Sequence, residues 1–252
     1  AMLIHACQLE KELNKKEALV YYKKSADKFN SQAMNNYAKL LCENIIDLNK
    51  NINEIVHYFK MAIELENQDA LYNYANILRK GFGIPKNKES AINYYKIAIE
   101  KGSTLAMHKY ASMLRKGDGI KANKEEAVKL YIKAIEKGEA KSMKKYALML
   151  ETGDGVQCDI KKAAELYKQL AQDGNAKSMF RYALIMNNRE LDLYDYKEAF
   201  KYFKLAIDHG IKEAMFHYAC LLQNGDESIV NKKEAARYYK LSIDQGNVEA
   251  MV

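Results

Sequence analysis

The chain is poor in residues that break helices: one proline and 12 glycines among 252 residues, and no tryptophan. So little proline leaves long stretches free to stay helical, since proline removes a backbone donor and clashes with the preceding turn. No apolar run approaches the ~20 residues that a membrane-crossing helix needs, so no span is expected in this segment. The four cysteines, Cys7, Cys42, Cys158 and Cys220, form no Cys-x-x-Cys pair and fall at different points of the pattern described below. That spacing argues against a disulfide or zinc framework. There is no Asn-x-Ser/Thr glycosylation site either, and the two absences together favour a reducing, cytoplasmic setting. His5, His57, His108, His209 and His217 lack ligand spacing, so neither a metal nor another cofactor is expected.

What remains is an ordinary folded composition, 48% hydrophobic and 29% charged. The net charge of +7 would permit an acidic partner, although lysines dispersed along a chain are more often a solvated surface. The informative feature is a repeat. Glycines 102, 138, 174, 210 and 246 stand 36 residues apart. In the same register recur a small residue, Met, Tyr-Ala and Leu, as in Ala33, Met34, Tyr37, Ala38, Leu41 and in Ala106, Met107, Tyr110, Ala111, Leu114. Offsets of 1, 4, 5 and 8 lie on one face of a helix. Gly117-Asp118-Gly119 and Gly153-Asp154-Gly155, with Gly81-Phe82-Gly83, then read as turns in which glycine ends the helix.

A second helix follows, opened by Asn14, Asn51, Asn87, Asn123, Asp159, Asp195 or Asn231. Three residues later usually stands a glutamate (Glu17, Glu54, Glu126, Glu198, Glu234), the spacing that satisfies free amide hydrogens at a helix start. Its inner face alternates small and aromatic residues, as in Ala91, Tyr94, Tyr95, Ala98. One such hairpin cannot bury both faces alone, so neighbours must stack. The expected fold is all-α: a right-handed α-α superhelix, or solenoid, of 36-residue helix-turn-helix repeats. About seven repeats are expected, near 1–32, 33–69, 70–105, 106–141, 142–177, 178–213 and 214–249, in a single solenoid. Because Ala1-Met2 and Ala250-Met251 sit at the same repeat position, the chain is expected to be a piece of a longer array whose uncapped ends could associate.

The pattern Ala-Met-x-x-Tyr-Ala-x-x-Leu, Gly-Asp-Gly-Val/Ile, Ala-x-x-Tyr-Tyr-Lys-x-Ala and a closing glycine resembles the Sel1-like repeat, a relative of the tetratricopeptide repeat with a longer turn. The resemblance covers essentially the whole chain. It departs from the family in the missing Gly-x-Gly turns of the first, second and sixth repeats. It implies a scaffold that binds peptides or protein surfaces along its concave face and brings components of a complex together.

Motifs for chemistry dissolve in the repeat register. Ser25 and Ser142 each precede a lysine by three residues, the Ser-x-x-Lys spacing of some acylating enzymes. Both occupy positions held elsewhere by alanine, so packing explains them. The Gly-x-Gly turns lack the preceding strand and the Gly-Lys-Ser/Thr of a phosphate loop. No enzyme is expected.

In the helical repeats that the chain resembles, the first helices line the concave side, so their positions opposite the buried face should point into the groove. These offer Asn73, then Lys109 and Lys116, then Lys145 and Leu148, then Arg181 and Leu184, and finally His217. Asparagine can bond an extended backbone, and a basic row could clamp an acidic segment. The leading expectation is therefore a non-enzymatic interaction scaffold for a protein or an acidic peptide. Two alternatives are a regulatory repeat arm of a larger enzyme or complex, and an RNA-binding helical repeat. The modest charge speaks against the second.

Overall fold

The computed structural model of the protein describes residues 1–43, 48–81 and 84–246, the side chains of 48–51 excepted. Phe82 and Gly83 of the first Gly-x-Gly turn, most of the glycine-free connection after Glu43, and the Ala250-Met251 pair lie outside the described residues. Among the described residues there are 14 helices and no strand. The chain divides into two compact units, Ala1–Glu139 and Ala140–Val252. The first holds α1 (Met2–Lys11), α2 (Lys15–Ala26), α3 (Ser31–Glu43), α4 (Leu48–Glu64), α5 (Gln68–Lys80), α6 (Lys88–Glu100), α7 (Thr104–Lys116) and α8 (Lys124–Glu136). The second holds α9 (Ala140–Thr152), α10 (Ile160–Gln172), α11 (Ala176–Met186), α12 (Tyr196–Asp208), α13 (Ala214–Asn224) and α14 (Lys232–Asp244).

Inside each unit every helix packs on its sequence neighbours, and α3 also meets α5. The repeated small residues explain why this works. Ala33, Ala106, Ser142, Ser178 and Ala214 on first helices and Ala91, Ala98, Ala127, Ala134, Ala199 and Ala206 on second helices are all fully buried. A methyl or hydroxymethyl group there lets backbones approach while the large side chains interlock. Ser142 is thus buried in an alanine position, as its register implies, and Ser25 is buried too. The tyrosines form a recurring device between the two helices of a hairpin. Tyr37–Tyr58, Tyr74–Tyr94, Tyr182–Tyr202 and Tyr218–Tyr238 meet edge to face at 5.0, 5.0, 4.7 and 4.9 Å. Such pairs add about 0.5–1.5 kcal/mol beyond the area they bury.

The caps are in place at Asn14, Asn87, Asn123, Asp159, Asp195 and Asn231, whose side chains accept from the backbone N–H three residues on. Asn51 is the exception. Helix α4 starts at Leu48, so Asn51 lies within it, and its side chain is outside the described residues. Apolar residues recur at 48, 52 and 55 of the sequence, a helical spacing that runs through the expected start.

The expected role of the glutamates needs correction as well. The cap residues' own N–H groups are already taken: Asn87 donates to Leu78 O at 2.9 Å, Asn123 to Leu114 at 2.9 Å, Asp195 to Met186 at 2.8 Å and Asn231 to Leu222 at 2.8 Å. These bonds close their hairpins whether or not the turn carries Gly-x-Gly, and they leave no donor there for a reciprocal capping box. Glu17 instead accepts from the side-chain amide of its cap, Asn14, at 2.7 Å. Glu54 and Glu198 turn outward to neighbouring helices: Glu54 accepts from Tyr37 and Lys23, and Glu198 from Tyr182 with Lys168 alongside.

The Gly-Asp-Gly turn also does more than stop a helix. Gly117 adopts the left-handed conformation (φ 70°) and ends α7. Asp118 then accepts from Arg79 of α5 at 3.2 Å and pairs with Lys88 of α6, stapling the turn to the preceding hairpin. Lys88 and, secondarily, Arg79 hold the Asp118 carboxyl below its usual pKa against the opposing effect of burial. Gly225, by contrast, is extended, so the last turn follows a different course.

Candidate interaction surface

The first helices carry most of the groove-lining residues in both units. In the first unit, α3, α5 and α7 line a groove of about 330 Å³ containing Lys39, Cys42, Tyr72, Asn73, Asn76, Ile77, Lys80 and Lys109. Its polar side is organised by amides. Asn73 Nδ2 donates to the Oδ1 of buried Asn35 at 2.8 Å, and Asn35 Nδ2 donates to Asn36 Oδ1 at 3.2 Å. Gln32 donates to the same Asn36 oxygen at 3.0 Å and accepts from Asn67 at 3.2 Å. The relay fixes which way each amide points. Of these amides only Asn73 lines the groove; among the described residues its Oδ1 has no hydrogen-bond partner, and neither has Asn36 Nδ2 outside the lining. Asn76 is spent inside the fold, donating to Tyr72 O and accepting from the Tyr95 hydroxyl, both at 2.9 Å. Burial pushes the Cys42 thiol up to about 12, with Glu43 adding to the effect and Lys80 opposing it. It is therefore a protonated, inert thiol at neutral pH.

In the second unit a groove of about 310 Å³ is lined by Lys144, Lys145 and Leu148 of α9, Tyr167 of α10, Lys177, Phe180 and Arg181 of α11, and Ile211 and Glu213 before α13. Glu151 stands behind it. It accepts from the Tyr167 hydroxyl at 2.8 Å and from Arg181 at 3.2 Å. Burial, then the bond to Glu151, holds the Tyr167 hydroxyl well above its usual pKa, so it donates as a neutral phenol.

The residues expected from sequence thus fall into two groups. Asn73 and Lys109 share the first unit's groove, and Lys145, Leu148 and Arg181 share the second's. Lys116 is exposed at the end of α7, outside the groove lining. Leu184 is half-buried on α11, beyond the second groove. His217 is drawn into an aromatic cluster, stacked on Phe203 at 5.4 Å and tilted against Phe180 at 5.6 Å. Sequence reasoning missed Tyr72, Lys144 and Phe180, which sit one residue before the chosen position in their helices. A residue advances by about 100° on a helix, so that neighbouring stripe borders the same opening. Glu151, Lys177, Ile211 and Glu213 gave no periodic signal.

No group of three or more His, Cys, Asp or Glu residues among the described residues could hold a metal ion. No described helix is long and apolar enough to cross a membrane.

Tandem helical hairpins that stack on their neighbours and expose grooves along their first helices define a helical-repeat protein. The Sel1 repeat family model matches residues 8–28, 31–67, 68–103, 104–139, 140–175, 176–211 and 212–247, and the chain belongs to that family. Its members are generally non-catalytic. The fold is similar to that of c5321, described as a protective antigen of uropathogenic Escherichia coli strains, at 24% identity and a TM-score of 0.79. That match covers 92% of this chain but 50% of the other, so the chain spans about half the length of that relative. A Sel1 repeat protein from Oxalobacter formigenes matches at 22% identity and a TM-score of 0.78, over 96% of this chain and 99% of that one. The C-terminal part of a tetratricopeptide-repeat protein from Cytophaga hutchinsonii follows at 15% identity and a TM-score of 0.59, covering 99% and 98% of the two chains. No curated protein matches the chain.

Proposed function

We propose that the protein is a non-enzymatic scaffold that holds an extended segment of a partner protein along its first helices. The observation that carries this reading is the amide relay of the first unit. A peptide backbone offers alternating N–H and C=O groups and binds wherever a surface presents the complementary acceptor and donor. Asn73 Oδ1 offers an acceptor in the groove lining, held in place by Asn35, and Asn36 Nδ2, outside that lining and held by Gln32 and Asn35, offers a donor on the same run of first helices. The relay also fixes side chains that would otherwise lose rotamer freedom on binding, which lowers the cost of association. The half-buried Cys42 thiol, raised in pKa, and the packing roles of Ser25 and Ser142 supply no activated nucleophile.

The test is selection from a displayed library of unstructured peptides on the intact protein. Selected peptides are then rebound to the Asn35→Leu/Asn73→Leu double variant. Removing both partners of one bond avoids orphaning a buried amide, and circular dichroism checks that the fold is kept. Loss of about tenfold or more in affinity supports the reading. Failure to select any peptide, or equal binding by the folded variant, overturns it.

A further inference from the structure

The second unit's groove is charged in a way that sets its ligand chemistry. Four cations, Lys144, Lys145, Lys177 and Arg181, line it against one carboxylate, Glu213, and among the described residues Lys144 and Lys177 make no ion pair with an acidic side chain. Arg181 has one, Glu151 at 3.2 Å, but the carboxylate meets a single guanidinium nitrogen and is itself tied to the Tyr167 hydroxyl. The guanidinium is thereby positioned, while its other donors have no hydrogen-bond acceptor among the described residues. Leu148 and Phe180 supply an apolar floor in the same lining.

The geometry points to a site for an acidic, extended peptide in which a bulky apolar side chain rests on Leu148 and Phe180. Carboxylates on either side of it reach Lys144, Lys177 and Arg181. This deepens the scaffold reading and rests on it. Cations spread over two helices match single carboxylates spaced along a strand better than one doubly charged phosphate. A space of about 310 Å³ accepts one or two side chains, not a folded surface. A nucleic acid strand would call for an open aromatic face on which bases stack. The Phe180 ring is instead turned against Phe203 and His217, at 6.0 and 5.6 Å.

Fluorescence anisotropy on the intact protein tests this with four labelled probes. One is a short Gly/Ser peptide carrying Glu residues on both sides of a central Leu. The others are its Glu→Gln form, its Leu→Ser form and an oligouridylate. The acidic Leu peptide is expected to bind about tenfold or more tighter than either altered peptide, with an affinity that falls as salt rises. In the Lys144→Gln/Lys177→Gln variant that affinity should fall about tenfold with the melting temperature unchanged, because neither lysine has an acidic partner to lose. Equal binding of the Gln form, equal binding by the lysine variant, or no binding of the acidic peptide overturns the site. Tighter binding of the oligouridylate overturns it in favour of a nucleic acid groove. If library peptides bind through the Asn73 groove while the acidic peptide fails, the scaffold reading stands without this site. If both experiments fail, both readings fall.

Discussion

Lys23 on α2 reaches Glu54 on α4 at 2.7 Å, joining the second helices of two successive hairpins. The pair is partly exposed, 48% and 31% at the two side chains, so on its own it contributes little, about 0–1 kcal/mol. Its weight comes from the third member. The Tyr37 hydroxyl, on a residue only 6% exposed, donates to the same carboxylate at 3.1 Å. Removing the acceptor orphans that hydroxyl at a cost of about 1–3 kcal/mol. Glu54→Ala should therefore destabilise by roughly 2 kcal/mol in urea denaturation, and by less than about 1 kcal/mol when Tyr37 is already Phe. Equal losses in the two backgrounds would show that the carboxylate does not serve the tyrosine.

Alkaline pH should weaken the fold through the same elements. Burial and the Asp27 carboxylate push Tyr58 up to about 12, and burial with Glu234 does the same for Tyr218. Tyr37, Tyr95 and Tyr167 are also raised, chiefly by burial. Lys23, Lys168 and Lys204 are raised by hydrogen bonds to Glu54, Tyr182 and Tyr238. A raised folded pKa means that the native state holds its proton longer than the unfolded chain does. This stability is complete below about pH 10 and is lost as pH climbs through the folded values. The urea midpoint should hold between about pH 7 and 9 and fall steeply above about 10. In difference spectra against Tyr37→Phe, Tyr58→Phe and Tyr218→Phe variants, the tyrosinate absorbance of these three residues should rise together with unfolding. Their ionisation near pH 10 with the helices intact would refute the account.

Asp118 governs the acid side. Its folded pKa lies below the unfolded value because of Lys88 and Arg79, so its contribution is present above about pH 4 and disappears as pH falls through the folded value. Asp118→Asn should lower the urea midpoint at pH 7 and make little difference once the wild-type carboxyl is protonated. Gly119→Ala should act through the same staple. Its φ of 81° is left-handed, and an added Cβ would lie 2.5 Å from Lys88 Cδ, so Lys88 must move away from Asp118. Combining the two substitutions should cost less than the sum of each alone. Simple additivity would separate the glycine from the staple.

The fold was legible because one packing solution is written many times over. A buried Ala-Met-Tyr-Ala-Leu stripe at helical spacing has one reading, and repetition averages out the exceptions. The helix starts were legible for the same reason, except at Asn51, which lies inside a helix that begins at Leu48. Long-range pairing was not. The cap-and-glutamate spacing fits a local box equally well as the tie from Glu198 to Tyr182 and Lys168. The choice depends on whether the N–H of the cap Asp195 is free, and the Met186 carbonyl of the preceding helix decides that. The groove was half legible. Position on a helix selected Asn73, Lys145 and Arg181 but could not tell that Asn73 bonds to Asn35, that Glu151 holds Arg181, or that His217 is consumed by Phe203. Those facts depend on side chains that no spacing brings together.

The closing turns offer a sharper test of the repeat's logic. Gly102, Gly138, Gly174 and Gly210 take φ values of 91°, 85°, 86° and 86°. Phe29 and Glu66 occupy the same position in earlier repeats at φ 60° and 59°. The hydrogen bonds match: Gly102 donates to Ile99 O and Glu66 to Ile63 O, both at 2.9 Å, and Phe29 donates to Ala26 O at 2.9 Å. A residue with a Cβ is disfavoured there by about 1–2 kcal/mol. Neither side chain offsets that strain through burial. Phe29 is 71% exposed, and the Glu66 side chain is 84% exposed with only Lys101 at 3.7 Å. Glycine would relieve the strain but add about 0.4–1 kcal/mol of unfolded-chain entropy. Phe29→Gly and Glu66→Gly should each stabilise by roughly 0.5 kcal/mol, and Gly102→Ala should destabilise by about 1 kcal/mol. An added Cβ at Gly102 meets nothing within 4 Å, so that loss would report backbone conformation alone. If Phe29→Gly destabilises while Gly102→Ala behaves as expected, the exposed phenylalanine ring makes a contribution to stability that its surroundings do not account for.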